Sequence, residues 1–169
     1  MKALKTILTA FLLLQTVVSF GQTKEETIEW LNTNGKGLSH SGKIVEEDKT
    51  TVETYLQEIN ASDLVMRITE ILQGKIITKE YYKIPFVSIL YEDVATLKRK
   101  RDNGYEYKIR VSEEQMQNKT TINGEWKSSD LSYFAVYSTD ETDKDVQRVL
   151  KAIMHLAKLS GAKENKQTF

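Results

Sequence analysis

The chain contains no cysteine, a single proline and two histidines in 169 residues. Without cysteine there can be no disulfide, no thiol nucleophile, no cysteine-based zinc site and no iron–sulfur cluster. Whatever fold forms is held by its core alone. The two histidines, His40 and His155, have no partner at a metal-like spacing. His40 falls in a Gly/Ser-rich stretch and needs Glu46 or Asp48 beside it in space to make a histidine–carboxylate site. His155 falls on the polar side of a helix and reads as solvated. No catalytic, metal or nucleotide motif stands out, so no cofactor and no enzymatic activity are expected. An excess of one charge is lacking too: 24 Lys+Arg balance 24 Asp+Glu. That balance lacks the basic field of a general nucleic-acid binder, and no nucleic-acid partner is expected.

Long apolar runs are missing except at the start. Lys2 and Lys5 precede a mostly apolar stretch, Ile7 to Val18, and Ser19-Phe20-Gly21 places small residues before a cut ahead of Gln22. This is the pattern of a secretory signal peptide over residues 1–21. A spanning helix wants ~20 predominantly apolar residues, more than this run supplies. No cysteine follows it, which argues against a lipid anchor. The expectation is an exported protein, periplasmic or secreted, with no stable membrane anchor after cleavage. Losing Lys2 and Lys5 takes Lys+Arg from 24 to 22 against 24 acids, a formal charge of −2. The remaining ~148 residues suffice for one domain with its own core.

The strongest pattern present is near the end, Asp145 to Ser160. Val146, Val149, Leu150, Ile153, Leu156 and Ala157 recur at three- and four-residue spacing, one stripe of a helix. Thr142 or Asp143 can cap its start, Lys158 suits its last turn, and Gly161 supplies a left-handed residue after it. A sheet is the expected partner for the stripe. A second, short helix opens on a Thr23–Glu26 capping box and carries Ile28, Trp30 and Leu31, with Trp30 read as a packing anchor.

Between the helices the chain reads mostly as strands. Residues 36–42 read as a loop and Lys43 to Glu47 as a first strand. Thr50 to Ile59 follows. Leu64 to Leu72 fits a helical stripe or a strand, and the Gln73-Gly74 turn into the strand Lys75 to Ile84 favours the strand. Pro85 should end that strand, and Phe86 to Leu90 makes a short apolar crossing of about one helical turn. Val94 to Lys98 resumes as a strand. Asn103-Gly104 marks a hairpin, after which Tyr105, Tyr107, Ile109 and Val111 point inward and Glu106, Lys108 and Arg110 outward. Ser112 to Asn118 reads as loop, Lys119 to Ile122 as a short strand, Leu131 to Ser138 as a strand under the helix, and 162–169 as a flexible tail. The predicted architecture is α+β: residues 22–42 as short helix and loop, then one domain over 43–161, an antiparallel six- to seven-stranded sheet or barrel closed by the C-terminal helix.

Antiparallel strands closed by one C-terminal amphipathic helix, over Lys43 to Ser160, resemble a pleckstrin-homology-like barrel. The Ser19-Phe20-Gly21-Gln22 junction, the Glu26-to-Leu31 helix and the RVLKAIMHLAKLSG ending are similar to small uncharacterised exported proteins of Gram-negative bacteria. These resemblances imply a plan and a compartment, and carry no catalytic residue.

Three features carry candidate chemistry. The basic run Lys98, Arg99, Lys100, Arg101 suits contact with an anionic surface, or simply solubilises a hairpin tip. The acidic run Asp140, Glu141, Asp143, Asp145 lacks the glycine and distal Glu of a calcium loop and reads as helix capping. Eight tyrosines suit cross-strand packing, with an aromatic groove for a glycan or peptide as the alternative. The function expected is a non-enzymatic binding or interaction module of the cell envelope, its partner an unidentified envelope protein or small ligand. The alternative is a small-ligand or lipid carrier with an apolar cavity between sheet and helix.

Overall fold

Thr23 opens the first helix with a reciprocal cap. Its Oγ1 accepts from the Glu26 amide at 3.2 Å, and its own amide donates to Glu26 Oε2 at 2.9 Å. Two of the orphan donors of a helix start are thereby satisfied, and α1 runs over Lys24–Asn34. The computed structural model describes residues 23–35, 40–45, 50–101, 104–112, 115–138 and 144–166. Residues 1–21, read from the sequence as a signal peptide, the expected helix caps Thr142 and Asp143, and the tail beyond residue 166 lie outside them.

Four long strands follow α1 as an antiparallel meander: β1 (His40–Val45), β2 (Thr50–Ile59), β3 (Asp63–Leu72) and β4 (Lys75–Pro85). Two local devices turn the chain. Between β2 and β3, Asn60 Oδ1 accepts from the amides of Ser62 and Asp63 at 2.8 and 3.0 Å. Between β3 and β4, Gln73 and Gly74 both take positive φ, 50° and 81°, as a two-residue hairpin matched to strand twist requires. Pro85 ends β4, and Phe86–Ser88 form one 3-10 turn. The single-turn helix α2 (Val94–Leu97) leads into β5 (Lys98–Arg101) and β6 (Gly104–Arg110). Then come β7 (Gln117–Lys119), β8 (Lys127–Ser128), β9 (Tyr133–Ser138) and the closing helix α3 (Lys144–Leu159).

These strands form two antiparallel sheets that do not close into a barrel. One has the order β1-β2-β3-β4-β7-β8 and the other β5-β6-β9. The small β7–β8 hairpin leaves the second sheet to extend the β4 edge of the first, and β9 returns to β6. The sheets approach each other where β1 and β2 lie against β9; there the buried Thr54 donates to the carbonyl of Ala135 at 3.5 Å.

One core joins both sheets and the helix. Leu56, Leu64, Met66 and Ile84 come from the first sheet, and Tyr107, Ile109, Phe134 and Val136 from the second. All six residues of the α3 stripe are buried in the same cluster, as is Met154. α3 runs beside α1, the 3-10 turn and α2, so helices flank it while the sheets' inner side chains meet its apolar stripe. Its last turn ends at Gly161 with φ 80°, the left-handed closure expected there.

Several expectations are corrected. The single sheet of six or seven strands is two sheets. Val94–Leu97 is helical, because Asp93 caps it by accepting from the Ala95 amide at 2.9 Å and the Thr96 hydroxyl bonds to Glu92 at 2.7 Å. The first strand begins at His40, inside the stretch read as a loop. The strand expected at Lys119 to Ile122 lies earlier, at Gln117–Lys119, and Thr121 to Gly124 is a turn closed by Gly124 N–H to Thr121 O at 3.0 Å. Glu106, expected to face solvent, is buried between its cross-strand neighbours Arg99 and Tyr137 and engaged by other groups. The start of the tail is ordered: Tyr91 N–H donates to Lys163 O at 3.1 Å, Asn165 N–H donates to Tyr91 O at 2.9 Å, and Asn165 Nδ2 donates to Glu92 at 2.7 Å. Leu64 to Leu72 is a strand paired on both sides. Its helix-like spacing arises because Leu64 and Met66 face the core while Val65, on the other face, is buried as well.

Candidate functional site

The basic tract is itself a strand, and pairing divides its charges between two faces. Directly opposed residues share a face. Lys98 opposes Tyr107, Arg99 opposes Glu106 and Lys100 opposes Tyr105. Lys98 and Lys100 therefore stand on the side of Tyr105 and Tyr107, with the Lys98 ammonium 5.2 Å from the Tyr105 ring centre. Arg99 stands on the opposite side with Lys108 and Arg110, which alternate along β6. The Arg101 side chain lies outside the described residues. The tract is thus no hairpin-tip patch of four like charges; it contributes separately to two surfaces.

On each surface there is a shallow pocket. The first lies among α2, β5, β6 and the polar side of α3, lined by Asp93, Lys98, Tyr107, Gln147 and Lys151 with Val94 and Ala95, and holds about 200 Å³. The second lies at the end of β6, lined by Leu90, Lys108, Arg110, Val111, Ser112, Ser132 and Tyr133, and holds about 270 Å³. Backbone bonds define its floor. Leu90 N–H donates to Arg110 O at 3.0 Å, and Val111 N–H to Ser132 O at 2.8 Å. A bridge pairs Ile89 with Val111. The Ser112 amide and hydroxyl both donate to Ser88 O, at 2.8 and 3.2 Å. Three chain segments are thereby tied together beneath the pocket.

Among the described residues that line this second pocket the charges are of one sign, Lys108 and Arg110. The Lys108 ammonium sits 3.5 Å from the centre of the Tyr133 ring, an attraction worth ~0.5–1 kcal/mol at an exposed site. Lys108 makes no ion pair among the described residues. Arg110 stands two residues along on the same face, held by neighbours of its own. Two cations over an apolar floor of Leu90 and Val111 can accept an anionic group, and the hydroxyls add neutral polar contacts.

Four aromatic residues elsewhere carry cations on their faces. Tyr55, Arg67, Tyr81 and Lys119 stand in one register row across β2, β3, β4 and β7. The Arg67 guanidinium lies 4.1 Å from the Tyr55 ring, and Lys119 lies 5.7 Å from Tyr81 and 4.5 Å from Trp126. Arg148 covers Trp30 at 5.1 Å, in keeping with an anchor between α1 and α3. These rings make cross-strand and inter-helix packing rather than an open stacking groove. Tyr82 donates its hydroxyl proton to Glu80. Burial, and then that carboxylate, push its pKa well above the ordinary tyrosine range, so it stays protonated at any physiological pH.

The remaining candidates contribute less. Among the described residues no group of three His, Asp or Glu could hold a metal ion. Glu46, Asp48 and the acidic residues Asp140, Glu141 and Asp143 lie outside them, as does the His40 side chain; Asp145 sits in the first turn of α3. His155 is half-buried and engaged by a neighbour rather than solvated. The pocket residues Lys108, Arg110 and Tyr133 were not singled out by the sequence as a site. Their one signal was the Lys108-Ile109-Arg110 alternation, and the pairing Arg110–Tyr133 that completes the pocket comes from the β6–β9 register. In comparisons with family models, curated proteins and solved structures, the chain has no match.

Proposed function

We propose that the protein is a non-enzymatic binding module of the bacterial cell envelope that recognises an anionic partner through its three-stranded sheet. The observation that carries this reading is the pocket that gathers Lys108 and Arg110, with no acid among the described residues of its lining, on the same face as Arg99 of β5. Export rests on the charged start, apolar run and small-residue junction of residues 1–21. A pleckstrin-homology-like plan is part of the same reading, supported by a four-stranded meander, a second small sheet and a helix closing the chain, with the β7–β8 hairpin as an addition.

The test is salt-dependent retention on immobilised polygalacturonate and polyglutamate. Lys108→Gln/Arg110→Gln should weaken retention on at least one of them, and retention should fall as salt rises. Lys75→Gln/Lys79→Gln removes the same charge from the exposed end of β4 and should leave retention unchanged. Equal losses from both pairs, or no retention of the unaltered protein on either polymer, would refute the proposal.

A further inference from the structure

We infer that the segment after α3 is a strap that steadies the pocket at the end of β6, so that closure of the strap and occupation of the pocket favour each other. The inference rests on the anion-binding reading of that pocket and adds its regulation. Residues 163–166 leave α3 beyond the left-handed Gly161 and meet the chain again at a parallel bridge between Tyr91 and Glu164. Both backbone groups of Tyr91 are engaged there. Its N–H donates to Lys163 O at 3.1 Å, and its carbonyl accepts from the Asn165 amide at 2.9 Å. The Glu92 carboxylate extends the hold. One oxygen accepts from Asn165 Nδ2 and the other from the Thr96 hydroxyl, each at 2.7 Å, so the strap is joined to α2 as well.

The strapped segment is also a wall of the pocket. Leu90 lines it. This segment pairs with the end of β6 through Ile89 and Leu90, and with the strap through Tyr91, so it runs between the two as a middle strand does. Lys163, Glu164 and Lys166 are exposed and Asn165 is half-buried. Closing the strap therefore buries little apolar surface and depends on hydrogen bonds, each of small net worth in water. Segments held in this way open locally far more readily than the whole domain unfolds. Opening releases Tyr91 and Glu92 and leaves Leu90 tethered to β6 alone, with its side of the pocket less fixed. A ligand that packs on Leu90 binds the closed form better, and by linkage it favours closure by the same factor.

Amide hydrogen exchange of the full-length protein, with and without saturating oligogalacturonate, tests this. The ligand should slow exchange at Tyr91 and Asn165 at least threefold, and the slowing should vanish in Lys108→Gln/Arg110→Gln. Asn165→Pro removes both donors of that residue and opens the strap. It should weaken oligogalacturonate binding by about the factor seen in exchange, because the coupling of two equilibria is reciprocal, with the circular dichroism spectrum unchanged. The exchange measurement needs no variant and stands even if Asn165→Pro disturbs the fold. Binding that depends on Lys108 and Arg110 but slows neither amide would overturn the strap and leave the anion-binding reading standing. No binding of oligogalacturonate at all would overturn both.

Discussion

Replacing Leu150 by alanine should be among the more costly single changes in this protein. Leu150 is fully buried on the α3 stripe, in the cluster that joins both sheets to the helix. Alanine is the best helix former, so the substitution adds no backbone penalty, and the loss is one of packing alone. Removing a leucine side chain from a filled core costs about 2–5 kcal/mol, the larger values where the cavity cannot collapse. Leu150 is flanked on its own stripe by the buried Val146, Ile153 and Met154, which a fixed helix backbone keeps from closing the space, so about 3–4 kcal/mol is expected. At ~2–4 °C per kcal/mol for a chain of this size, Tm should fall by about 6–16 °C. Urea titration followed by circular dichroism reads the change as a lower midpoint at an unaltered slope. Lys151→Ala, one residue on and exposed, should change stability by less than ~0.5 kcal/mol. A Leu150→Ala loss below about 1 kcal/mol would mean that α3 does not close the core.

Two further perturbations test other parts of the fold. Tyr82 is raised above its unfolded pKa of about 10, so its contribution to stability is fully present below that value and is lost as pH rises toward the folded one; Tyr82→Phe should therefore flatten the alkaline limb of stability against pH, and an unchanged difference between the two proteins from pH 8 to 11 would contradict the burial argument. Asn165→Ala removes the bond to Glu92; it should cost about 1 kcal/mol and speed amide hydrogen exchange at Tyr91 and Asn165, and unchanged exchange would show that the tail start does not hold Tyr91.

The elements that rest on local pattern were legible in the sequence. The α3 stripe, the α1 capping box, the end of β4 at Pro85 and the hairpin from β5 to β6 each follow from residues close together in the chain. What pattern misread has a physical cause in each case. Val94 and Thr96 are β-branched and suggest a strand, yet Asp93 and Glu92 cap one helical turn there. Lys163 and Asn165 look like a frayed tail until Tyr91, more than seventy residues earlier, supplies their backbone partners. Glu106 alternates outward with Lys108 and Arg110 but is closed over between Arg99 and Tyr137. The division into two sheets was not legible because β7 leaves β6 to pair with β4, a choice made by distant edges. The candidate site was half legible. Basic residues were expected at Lys98 to Arg101, but the pocket that gathers two cations forms one strand further on, where β9 brings Tyr133 beside Arg110.

Mapping of backbone amide shifts on adding oligogalacturonate to isotopically labelled protein tests the assignment of the recognition face most directly. The account predicts shifts concentrated at Arg99, Lys108, Arg110, Ser112 and Tyr133, and none along the outer face of β2, β3 and β4. Shifts centred on Tyr55, Arg67 and Tyr81 instead would contradict it.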